Sequence, residues 1–91
     1  MNRVEKAEFV SELKEKVSKS IKAWKKDIES IIKQGIEKKE IKSRVNASEF
    51  AIEFISLIEG GIMLAKATGN ISMLNTCLCR IERIINSELR S

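Results

Sequence analysis

Proline, histidine and tyrosine are absent from this 91-residue chain, which holds only four glycines, two cysteines and one tryptophan. Each scarcity removes something. Without proline, nothing forces a helix to break. Without histidine, the commonest general base and a principal zinc ligand are missing. No nucleophile stands near a recognisable base, and no glycine-rich loop follows a strand. The chain is therefore not expected to be an enzyme, to hold a metal or to need a cofactor. Two cysteines suit a reducing, cytoplasmic setting. Apolar runs stop well short of the ~20 residues that span a bilayer, and the opening MNRVEKAEFV lacks the apolar stretch of a secretory signal.

What is present is helical. Hydrophobic residues make up 43% of the chain and charged residues 33%, a globular rather than a disordered balance. Strand-like alternation is missing, so the fold class is all-α. The net charge of +4 is uneven: residues 1–44 hold 13 Lys/Arg against 8 Asp/Glu, and residues 45–91 hold 4 against 5. Three helices are expected in one domain spanning 1–91. The first covers about 8–38, where Val10, Leu13, Val17, Ile21, Trp24, Ile28, Ile31 and Ile32 step by threes and fours. The second covers about 47–68. The third covers about 72–89, with Leu74, Cys77, Leu78, Ile81, Ile84, Ile85 and Leu89 on one stripe. The short turn at Gly69-Asn70 makes the last two an antiparallel hairpin.

The second helix carries the most information. Asn46 can cap its start, with Glu49 three residues on completing a capping box, and Gly69 suits a left-handed stop. Between them, Phe50, Phe54, Leu57, Ile58, Ile62, Leu64 and Ala65 spread around more than half the circumference. A surface helix needs only a stripe of about 100°. Gly60 and Gly61 each weaken a helix interior by roughly 1 kcal/mol, so a close neighbour should offset them. The expectation is a homodimer in which two hairpins form a four-helix bundle.

The order W-x3-I-x2-I-I-x2-G-I-x3-E-I from Trp24 to Ile41, then Phe50-Ala51, then E-G-G-I-M-L-A-K from Glu59 to Lys66, resembles the C-terminal domain of TetR-family transcriptional regulators. In that family a G-I-x-x-G-E-I ending leads to a helix bearing E-G-x-x-x-L-A. One departure stands out: the usual glycine before Glu40 is Lys39 here. The resemblance covers about residues 20–89. It implies an effector-binding and dimerisation domain of a repressor, whose DNA contact comes only through an N-terminal helix-turn-helix domain. No such segment is read in this chain, because the residues before Trp24 form one continuous amphipathic helix.

The dimer contact is expected at Phe54, Ile58, Gly60, Gly61, Ile62, Ala65, Leu74, Leu78, Ile81 and Ile85. A pocket for a small apolar effector is placed at Trp24, Ile28, Phe54 and Met63, although a tryptophan on a core stripe is more often packing alone. Glu59 is read as exposed on a wet strip near Lys66, or else paired with Arg80 or Arg83. Cys77 and Cys79, two apart on a helix, point in different directions and cannot share a metal. A lysine ribbon at Lys16, Lys19, Lys22, Lys25 and Lys26 admits a nucleic-acid or anionic-membrane reading. Its interleaved Glu12, Glu15 and Asp27 favour a solvated face instead, and no membrane partner is expected. A stand-alone helical protein–protein interaction module is the other alternative.

Overall fold

A computed structural model describes residues 3–91, with side chains from residue 5 onward. Three α-helices follow one another: α1 (Arg3–Glu37), α2 (Ala47–Thr68) and α3 (Ser72–Ile84), the last running into a π-helical turn, Ile85–Leu89. The fold is all-α. Helix α2 packs against both α1 and α3.

Local chemistry sets the boundaries. The Glu49 amide donates to Asn46 Oδ1 at 3.0 Å, which satisfies one of the free N–H groups at the start of α2. Among the described residues the Glu49 carboxylate makes no return bond, so only half of the expected capping box forms. Helix α2 ends at Gly69, with φ 68°, where the missing Cβ removes the left-handed penalty. Asn70 then starts α3, its Oδ1 accepting from the Ser72 amide at 3.0 Å and from the Ser72 hydroxyl at 2.7 Å.

Helix α1 begins five residues before the apolar stripe suggests, and runs unbroken through Ser18 and Ser20. It stops in a Schellman motif. The Glu40 amide reaches the Gly35 carbonyl at 2.9 Å and the Lys39 amide reaches Ile36 at 3.0 Å, the two bonds that close such an end. Lys39 occupies the left-handed position with φ 63°. The residue that departs from the family pattern is thus the one held in the backbone conformation glycine would adopt freely. Gly35 has its own reason: a Cβ there would clash with the Ile41 side chain.

The third helix does not stay α-helical to residue 89. From Ile85 the hydrogen bonding widens, with the Arg90 amide bonding the Ile85 carbonyl at 3.1 Å. The wider turn lets the C-terminus meet the α1–α2 linker. The Lys42 amide donates to the Leu89 carbonyl at 2.8 Å and the Ser91 amide to Glu40 at 3.1 Å. Lys42 Nζ adds a bond to the Ser87 carbonyl at 3.1 Å, and Ile41 and Arg90 form an isolated antiparallel bridge. Leu89 is buried as a result.

The core lies at this end of the molecule. Ile28 and Ile32 of α1, Phe50, Ala51 and Ile55 of α2, and Ile84 and Leu89 form one cluster, with Trp24, Ile41, Val45 and Phe54 packed against it. The rest is open. A compact monomer of 10.3 kDa exposes about 5,400 Å², whereas this chain exposes 7068 Å². Its radius of gyration is 17.0 Å, against about 12 Å for a globular domain of this length.

Candidate functional site: an uncovered apolar face and a hollow at Trp24

Two features bear on function: apolar surface with no cover, and a hollow where α1 and α2 diverge.

Along α2, Ile52, Ser56, Gly60 and Met63 recur at spacings of four, four and three, which places them on one side of the helix. Ile52 is 52% exposed and Met63 65%. A Cβ on Gly60 would meet nothing within 4 Å. Leu64 nearby, Leu78 on α3 and Ile85 at the start of the π-helical turn are also exposed. The face is narrow, small-residue in its middle and apolar at its ends, so another helix can approach closely there.

The ten residues expected at a dimer contact divide into groups. Leu78 and Ile85 lie on accessible surface, whereas Ile58, Gly60, Ile62, Ala65 and Leu74 are half-buried within the chain. Phe54 is half-buried against α1, its ring edge-on to Trp24 with centroids 6.1 Å apart and planes at 82°. Ile81 and Gly61 are buried. Gly61 belongs to the contact with α3 in its own subunit: a Cβ there would stand 3.0 Å from Leu74 Cδ1 and 3.2 Å from Cys77 Cβ. The adjacent glycines therefore have different tasks. Gly61 admits α3, and Gly60 has open space where a Cβ would stand. Ile52, absent from the sequence-based set, joins Gly60 on the uncovered side; its spacing from Ser56 and Gly60 was the available signal.

The effector residues divide too. Trp24 lines a hollow of about 340 Å³ with Lys16, Val17, Ser20, Ile21 and Glu59. Ile28 is packed into the core. Phe54 supports the Trp24 ring from its edge. Met63 does not line this hollow. Glu59, read from the sequence as solvent-facing or paired with an arginine, is exposed and has no hydrogen-bond or ion-pair partner among the described residues. Lys16 is 3.8 Å from Glu12.

Nearer the core, Lys25 bonds to both Glu29 and Ser48 Oγ, the latter at 3.0 Å, and so ties α1 to the first turn of α2. The bond from Lys25 holds the Glu29 carboxyl below the usual carboxylate range, with partial burial opposing it and the charges of Lys25 and Lys33 assisting. Both cysteines are free thiols, Cys77 half-buried and Cys79 exposed. Among the described residues no group of three or more Cys, Asp or Glu could hold a metal, and no helix is long and apolar enough to cross a membrane.

Comparison with known proteins places this geometry. A TetR-family transcriptional regulator from Cytophaga hutchinsonii superposes with a TM-score of 0.83 at 29% identity, over 94% of this chain and 43% of that one. A TetR transcriptional regulator from Chloroflexus aurantiacus J-10-FL gives a TM-score of 0.83 at 28% identity, over 86% of this chain and 39% of that one. This chain thus spans about two-fifths of the length of those regulators. No curated protein matches it. The family model for the tetracyclin repressor-like C-terminal domain matches residues 4–80; the chain belongs to that family.

Proposed function

We propose that this chain is the effector-binding and dimerisation domain of a cytoplasmic TetR-like repressor, and that two copies pair through α2 and α3 in a four-helix bundle. DNA would be reached only through a separate N-terminal head. Support comes first from the uncovered stripe of Ile52, Gly60 and Met63 on α2, and from the exposed Leu64, Leu78 and Ile85. Exposed apolar side chains are stabilised by burial, at roughly 25 cal/mol per Å², and exposed apolar patches mark interaction sites. A twofold arrangement satisfies the same patch on both copies at once.

Regulation then follows from coupling. A small molecule held between α1 and the hairpin would favour one spacing of the two subunits over another, and shift the population only by its difference in affinity for the two.

Sedimentation equilibrium tests the pairing. The wild-type chain is expected to be dimeric at micromolar concentration. Gly60→Leu should weaken the dimer by at least about tenfold, as a bulky side chain at a close crossing does, with the helical circular dichroism unchanged. A wild-type monomer at high micromolar concentration would remove the proposal.

A further inference from the structure

We propose that the hollow at Trp24 selects a lipophilic cation, a reading that rests on the effector-binding role proposed above and names the chemistry of its ligand. The apolar wall is made by Val17, Ile21 and the half-buried Trp24 ring, which the edge contact with Phe54 holds in place. A tryptophan face attracts a positive charge more strongly than any other side-chain ring. Across from it, on α2, stands the Glu59 carboxylate, which has no partner among the described residues. The one cation in the lining, Lys16, has the Glu12 carboxylate 3.8 Å away on the open helix surface, so two carboxylates, Glu12 and Glu59, stand around one ammonium. The uncompensated charge at the hollow is therefore negative, although the chain as a whole carries +4. At about 340 Å³ the space suits a small ligand. Its cationic centre would lie between the Trp24 ring and Glu59, and its apolar body along Val17 and Ile21.

Trp24 is the sole tryptophan, so its emission reports binding at this place directly. Tetraphenylphosphonium and tetraphenylborate have the same shape and opposite charge. The net positive charge of the protein favours the borate everywhere except at a site of local negative charge, which makes the pair a stringent test. Saturable change of Trp24 emission is expected with the phosphonium, at an affinity several-fold above that of the borate. Glu59→Gln should weaken phosphonium binding by about five- to tenfold, the scale of one partly exposed charge contact. Lys16→Gln should not weaken it. Equal or tighter binding of the borate, or no effect of Glu59→Gln, would overturn the cation selectivity while leaving an effector site standing. No saturable change with either probe would remove the site itself, and the dimer measurement above would be untouched.

Discussion

Val17 and Ile28 occupy the same face of the same helix, eleven residues or about three turns apart. Val17 is 52% exposed and Ile28 is 8%. The difference lies in what reaches them. Helix α2, with 22 residues against the 35 of α1, is about 33 Å long beside a rod of about 52 Å, and its contacts gather at the C-terminal half of α1. Periodicity therefore identifies the face that wants cover. Only the length and placement of a neighbour decide whether it is covered.

Core substitutions should divide along that line. Ile32→Ala is expected to destabilise the chain by about 2–4 kcal/mol in denaturant unfolding, since a buried isoleucine loses both its transfer energy and its contacts. Leu13→Ala, on the same stripe but exposed, should change stability by less than about 0.5 kcal/mol. Comparable losses at the two positions would mean that the N-terminal half of α1 is covered in solution, and the contrast would fail.

The glycine pair gives a second, smaller contrast. Gly61→Leu should destabilise the hairpin by about 1–3 kcal/mol, the usual result of overpacking a tight contact, because Leu74 and Cys77 already crowd that position. Gly60→Ala meets only open space and should stabilise the isolated chain by up to about 1 kcal/mol through helix propensity. Thermal unfolding at concentrations where the chain is monomeric separates the two; a stabilising Gly61→Leu would show that the α2–α3 contact is looser than it stands here.

Much of this architecture was legible in the residues. All-α composition, caps at Asn46 and Gly69 and the family pattern from Trp24 to Lys66 led to the correct fold class and family. The division between Gly60 and Gly61 was not legible, because adjacent helix positions are 100° apart and only the direction of α3 says which one it meets. Nor was the closing strap. Ile41 and Val45 read as linker, and their packing, like the final placement of Leu89, depends on a π-helical turn and a bridge from Ile41 to Arg90 of the same chain that no local periodicity encodes. The pocket set suffered likewise: spacing put Trp24 and Ile28 on one stripe, and the reach of α2 buried one and left the other beside a hollow.

Lys39 was visible as a departure from the family's glycine, and the structure supplies its consequence. A left-handed non-glycine residue is disfavoured by roughly 1–2 kcal/mol, so Lys39→Gly, less the greater flexibility it gives the unfolded chain, should stabilise by up to about 1 kcal/mol. An unchanged unfolding midpoint would show that the linker relieves the strain in some other way.

The gentlest test compares two ion pairs with the same spacing. Glu15 and Lys19 sit on the open half of α1, 3.7 Å apart with both side chains largely in water. Lys25 and Glu29 sit where α2 arrives, and Lys25 also bonds Ser48. Exposed pairs contribute little, so Lys19→Gln should leave stability unmeasurably altered. Lys25→Gln should instead raise the titration midpoint of Glu29, because the bond from Lys25 is the chief cause of its lowered pKa. A carboxyl with a folded pKa below its unfolded value contributes stability that is complete above the unfolded pKa and is lost as pH falls through the folded one. Acid unfolding of the wild type should thus carry a small contribution from Glu29 below the ordinary carboxylate range, and the Lys25→Gln variant should lose it. Carboxyl-carbon NMR of Glu29 across the acid range reads both effects. A Glu29 midpoint that stays put when Lys25 is replaced would show that the junction of α1 with α2 treats this pair no differently from its counterpart at Glu15 and Lys19.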